Sequence, residues 1–192
     1  MYKFKLLIFL IVFSVANNLF AQDKFEKESR IKQSDVPSKA LFFIDSLNYN
    51  TKIKWYKEEA LNSESIEAKF KHNKTKYSIE FDTLGNIEDV EIEVHWQDLD
   101  KELSNSITNQ LKKDCSKHKI VKIQRQFTGT ENDLFSLLRN SINSEQIKIK
   151  YEIVVRCNEQ KEVNLLEYLF NEKGLLVSKS KIIFKNSSHL EY

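Results

Sequence analysis

Short segments in which apolar and charged residues alternate constrain this chain more than any other feature. In IEAKFK, Ile66, Ala68 and Phe70 fall on one side, and Glu67, Lys69 and Lys71 on the other. YSIEF sets Tyr77, Ile79 and Phe81 against Ser78 and Glu80, and VEIEVHW sets Val90, Ile92, Val94 and Trp96 against Glu91, Glu93 and His95. KIKWY adds Ile53 and Trp55 opposite Lys52, Lys54 and Tyr56. A period of two marks a strand with one buried face. Four such segments in succession predict a four-stranded antiparallel sheet, apolar on one face and wet on the other.

The connections support this reading. Phe81 ends one alternating run and Ile87 begins the next, so DTLGN is a turn. Gly85 supplies the positive φ that a tight turn requires, and the Asp82 carboxylate can bond its own backbone. A calcium loop would need ligands at every second position, closed by a glutamate; Thr83, Leu84 and Asn86 stand there instead. Upstream, SDVPSKALFFIDSL has Val36, Ala40, Phe43, Ile44 and Leu47 at helical spacing. Ser34 or Asp35 can cap this helix, with Pro37 in its first turn.

The pattern then returns. Leu99, Leu103, Ile107 and Leu111 form the stripe of a second helix, with Lys112 and Lys113 near its carboxyl end, and VKIQRQF and IKIKYEIVV alternate as strands. Phe170, Asn171 and Gly174 repeat the spacing of Phe81, Asp82 and Gly85. An insert, TGTENDLFSLLRNSINSEQ, carries Leu134, Leu137, Leu138 and Ile142 at helical spacing and predicts a short extra helix. The expected fold is α+β: two tandem modules, each a helix on a four-stranded antiparallel sheet, spanning residues 22–97 and 98–192.

Residues 1–21 read as a secretory leader: Lys3 and Lys5, an apolar run from Leu6 to Val15, and the small residue Ala21 before the expected cut. The 30 basic residues fall to 28 when Lys3 and Lys5 leave, matching the 28 acidic ones. Interleaved charges near neutrality are not the footprint of a nucleic-acid binder. No later apolar run is long enough for a helix to span a bilayer. Export would place Cys115 and Cys157 in an oxidising compartment where they could pair, but connectivity is not readable from sequence.

Catalytic constellations are not found. His72, His95, His118 and His189 form no motif with one another, and Cys115 with His118 lacks the second pair that a zinc site needs. Three glycines cannot build a phosphate-cradling loop, and neither G-x-S-x-G nor a cysteine spaced from histidine and asparagine in a nucleophilic pattern is present. The expectation is a non-enzymatic chain with no cofactor and no metal. What remains is surface: Lys54, Tyr56, Lys69, Glu80, Glu91, Glu93 and His95 share the polar sheet face, where an aromatic among charges can anchor a protein partner. The plain alternative is that these are cross-strand pairs that keep the sheet soluble.

DVPSKALFFI, KIKWYKEE, the run from Ile66 to Val94 and the run from Tyr151 to Ser180 together resemble the PepSY-like family of exported bacterial proteins, itself described as similar to the beta-lactamase inhibitor protein. Pro37, Trp55 to Glu58 and the turns at Phe81 to Gly85 and Phe170 to Gly174 carry the resemblance. It implies a tandem α+β fold, a periplasmic or secreted location, and a partner among exported or envelope proteins, with inhibition of a peptidase as one form. The competing expectation is a small-ligand or lipid carrier, with Phe42, Phe43, Trp55, Phe70 and Trp96 lining a pocket between helix and sheet.

Overall fold

The computed structural model describes residues 22–139, 146–159 and 162–184; the expected leader lies outside them. Nine strands form one sheet: β1 (Gln22–Ile31), β2 (Lys54–Glu59), β3 (Glu64–His72), β4 (Thr75–Asp82), β5 (Ile87–Glu93), β6 (His118–Thr128), β7 (Lys148–Glu159), β8 (Glu162–Asn171) and β9 (Leu176–Phe184). Each pairs antiparallel with the next, and β1 also runs parallel to β9, which closes the sheet into a barrel. Among the described residues three α-helices accompany it: α1 (Ser38–Ser46), α2 (Lys101–Asp114) and α3 (Glu131–Leu138).

This corrects the expected architecture. The chain does not build two repeated modules of a helix on a four-stranded sheet. β5 pairs with β6, from Val90 opposite Phe127 to Glu93 opposite Gln124, so the sheet continues through the middle of the chain. The polar stretch before α1 supplies β1, which pairs with β2 from Lys27 opposite Glu59 to Ile31 opposite Trp55.

The alternation is obeyed. Trp55, Ile66, Ala68, Phe70, Ile79, Phe81 and Val90 are buried together with Ala40, Phe43 and Ile44 of α1 and Leu134 and Leu138 of α3. Leu103, Ile107 and Leu111 of α2 are buried with Ile123, Ile153, Val155, Tyr168 and Phe170 in a second cluster. A barrel of about eight strands has room inside only for side chains or one small ligand, so the three helices pack on its outside. Asp100 caps α2 by accepting from the Leu103 N–H at 2.8 Å. Thr130 and Asp133 form a reciprocal capping box on α3, the helix expected in the insert. At α1 the cap differs from expectation: Ser34 and Asp35 lie in a 3-10 turn, and Pro37 holds the cap position in an extended conformation.

Both glycine turns form as read. Asp82 Oδ1 accepts from the N–H groups of Leu84 and Asn86, each at 2.8 Å, and Gly85 has φ 85°. Asn171 does the same for Lys173 at 3.0 Å and Leu175 at 2.9 Å, with Gly174 at φ 73°. These bonds, the side chain of Asn86 first among them, hold the Asp82 carboxyl below its ordinary range.

Candidate functional site

The polar face expected to be wet is the inner lining of the barrel. Ser65, Glu67, Ser78, Asp89, Gln124 and Glu152 are all buried, and by register each points away from the helix-packed face. Curling the sheet turns its charged side inward. Burial of a charge is costly unless it is paired or neutralised, and this lining does both.

Pairing dominates at β1–β4. Lys69 Nζ lies 2.7 Å from Glu67 Oε2 and also bonds Glu28. The Ser78 hydroxyl donates to Glu67 from the facing strand. Although burial works against ionisation, the Lys69 ammonium and these hydrogen bonds hold Glu67 below the ordinary carboxylate range. Burial likewise works against the charge of Lys69, and Glu67 and Glu28 together raise its pKa above the usual lysine value. Glu28, Glu58 and Glu67 bring carboxylate oxygens within 4.8 Å of one another. The cation on this cluster is Lys69's own ammonium.

Neutralisation dominates at β4–β7. Glu67 stands opposite Glu80, and Glu80 opposite Asp89, a row of three carboxylates across adjacent strands. Asp89 accepts from Gln126 Nε2 at 2.8 Å. Burial, then the charges of Glu80 and Glu152, push its pKa up to about 7. Glu91, half-buried on the same strand, is raised well above its usual value by burial and then by Glu152 and Asp89. Lys122 lies 3.4 Å from Glu152.

The residues singled out on this face divide accordingly. Lys54 and His95 are exposed at its edge, and Tyr56, Lys69, Glu80, Glu91 and Glu93 are half-buried. Lys69 Nζ sits 5.1 Å from the centre of the Tyr56 ring, a cation–π contact. Glu93 pairs with Lys76 at 3.0 Å, and the His95 backbone N–H donates to Asp98. Sequence reasoning missed Glu67, Asp89 and Glu152, because charged side chains on an alternating strand look solvated until the curvature of the sheet is known.

Cys115, at the carboxyl end of α2, is bonded to Cys157 on β7. The neighbouring His118 Nδ1 donates to the Cys115 carbonyl at 2.7 Å, so this pair of residues staples and caps the helix end. Of the side chains expected to line a carrier's pocket, Phe43, Trp55 and Phe70 are packed in the first core, Phe42 is 75% exposed, and Trp96 is half-buried beside the second core. A cleft of about 270 Å³ opens at the tip of the β3–β4 hairpin, lined by residues that include Tyr49, His72, Tyr77 and Arg139.

No family model matches the chain, and no curated protein matches it in sequence. Among solved structures, it is similar to a DUF2874 family protein from Bacteroides ovatus, with a TM-score of 0.50 and 9% identity, covering 76% of this chain and 87% of that one. A Bacteroides eggerthii protein of proposed periplasmic location gives a TM-score of 0.46 at 11% identity, covering 76% and 88%. A BLIP-like protein from Bacteroides fragilis gives 0.46 at 17% identity, covering 80% and 92%. The PepSY-like resemblance rests on the residues quoted for it. What the comparison shows is a shared fold with the DUF2874 family protein.

Proposed function

We propose that this chain is a non-enzymatic, exported protein-binding module that holds another envelope protein, a peptidase among the candidates, at the rim of the barrel, where the polar face ends in the exposed Lys54 and His95 with Tyr56 beside Lys54. One observation carries the reading. Tyr56 is fixed under the Lys69 ammonium, which Glu28 and Glu67 hold in turn. An aromatic side chain already immobilised on a strand loses little rotamer freedom on binding, and such side chains dominate protein interfaces. Lys54 and His95 supply an exposed charged and polar border.

Export is supported by the Cys115–Cys157 bond, which suits an oxidising compartment, and by the leader read from residues 1–21. Among the described residues no helix is long and apolar enough to cross a membrane. The reading is tested by capture of a partner from an envelope extract of the source cells, with a Lys54→Glu/Tyr56→Ala variant as control. Tyr56 touches Lys69 and Lys54 stands opposite it, so the thermal transition is measured alongside: a partner lost with the transition unchanged reports on the face rather than on the fold.

A further inference from the structure

The cleft at the β3–β4 hairpin tip is separate from the face assigned to protein binding, and its chemistry differs. It lies where three distant segments meet: the end of α1 with Asn48 and Tyr49, the hairpin with His72, Asn73 and Tyr77, and the end of α3 with Arg139. At about 270 Å³ it falls just under the range of small-molecule sites, roughly 300–1,000 Å³. It is sized for one ring rather than an extended chain.

Stacked rings stand in its lining, whose exposed surface is mostly polar. Tyr49 stacks on His72 with centroids 4.0 Å apart, and Tyr77 stacks on Phe70 at 5.3 Å. Side-chain amides such as those of Asn48 and Asn73 offer both donors and acceptors, and so do phenolic hydroxyls, which suits ligand hydroxyls that also do both. The Tyr49 hydroxyl donates to the Leu138 carbonyl, so that acceptor at the end of α3 is already satisfied. Arg139 brings a guanidinium, the group best matched to a carboxylate or phosphate.

Lys71 and Lys76 stand opposite each other across the hairpin, but on the sheet face away from His72 and Tyr77, so their charge does not line the cleft. Thr51 donates to the Lys71 carbonyl at 2.7 Å, which ties the loop carrying Lys52 to the same strand end. Among the described residues, ion pairs reach Lys76, which meets Glu93, but not Lys52, Lys71 or Lys74. The backbone is strained here. Asn48, Asn73 and Lys74 have φ of 54°, 48° and 70°, and they are the non-glycine residues with positive φ in the described chain. Asparagine tolerates this region, whereas lysine does not favour it, and glycine is the relaxed choice in a two-residue hairpin turn. Lys74 thus holds its charge beside the cleft at a backbone position that glycine would favour.

We infer that this cleft binds a small hydroxylated ring bearing one anionic group, the chemistry of an acidic sugar or a sugar phosphate. The ring lies against the Tyr49–His72 and Tyr77 walls, Asn48 and Asn73 bond its hydroxyls, and Arg139 meets the anion, with Lys74, next to Asn73 in the turn, adding its charge from the border of the cleft. The inference concerns a different surface from the protein-binding proposal, and either can fail without the other.

Calorimetric titration of the exported chain with glucuronate and with glucose 6-phosphate tests it, with glucose and inorganic phosphate as controls and the His72 and Tyr77 ring resonances followed by NMR. Saturable binding of at least one acidic sugar is expected, with shifts at both rings. Arg139→Gln and Lys74→Gly should each weaken it about tenfold, a change of about 1.4 kcal/mol. Lys74→Gly relieves the positive φ, so its thermal transition should not fall, and lost affinity then reports on the charge. The inference is overturned by an absence of saturable binding up to about 10 mM, a concentration well above a millimolar Kd. Unchanged affinity in both variants would also overturn it. So would a response to glucose or to inorganic phosphate equal to that of the acidic sugars, since charge or ring would then contribute nothing.

Discussion

The backbone nitrogen of Ala40 lies 2.8 Å from the point a β-carbon would occupy on Gly85. The β4–β5 turn is thus pressed onto the first turn of α1, and glycine is required there twice over: for its φ of 85° and for the contact. Gly174 makes the same approach to α2, where a β-carbon would lie 2.8 Å from Ser106 Cβ, and the Ser106 hydroxyl donates to the Gly174 carbonyl at 2.8 Å.

Gly85→Ala is therefore expected to destabilise the protein by about 2–3 kcal/mol, the sum of a positive-φ penalty and displacement of a helix backbone that cannot yield as a side chain could. The midpoint of urea unfolding should fall with the slope unchanged. A change near zero would mean that the turn does not bear on α1.

The Cys115–Cys157 bond closes a loop across a sequence separation of 42 residues. Loop-closure entropy for that length corresponds to about 4 kcal/mol. Denaturant unfolding with and without reductant should differ by about that amount. Amide exchange on reduction should accelerate first near the carboxyl end of α2, where Cys115 is the capping residue.

The carboxylates lining β4–β7 make stability depend on pH. Asp89 titrates near 7 in the folded chain, against an ordinary value of 3.8. The folded state therefore binds this proton more tightly, and the stability it confers is full below the unfolded value and is lost as pH rises through about 7. Glu91 acts in the same direction. Glu67 acts in the opposite sense: its lowered pKa gives stability that is present above the ordinary glutamate value and lost on acidification. Between pH 5 and 8 the net stability should fall, by an amount on the order of 2–3 kcal/mol for Asp89. Asp89→Asn should flatten that slope and stabilise the chain at pH 8. A slope unchanged by the substitution would remove Asp89 from this role.

What could be read in the residues was local. The alternation around Ile79 and Phe81, the Asp82–Gly85 turn, the Leu103–Ile107–Leu111 stripe and the short helix at Leu134 all depend on neighbours a few positions apart, and the structure has them. Closure of the barrel depends on Gln22–Ile31 reaching β9 at the far end of the chain, and QDKFEKESRI lacks the clean alternation that would have marked it as a strand. Without that closure Glu67, Ser78 and Asp89 look like residues of a wet face. The Lys69–Glu28 pair joins residues 41 apart, and the hairpin cleft joins Tyr49, His72 and Arg139. Contacts of that range leave no periodic trace in a single sequence.

The proposed function puts a protein partner at the barrel rim beside Lys54 and Tyr56, and capture from an envelope extract of the source cells tests it. A partner retained by the wild-type chain and lost by Lys54→Glu/Tyr56→Ala is expected, with the variant's thermal transition near that of the wild type. A partner retained equally by both chains, or no partner at all, would contradict it.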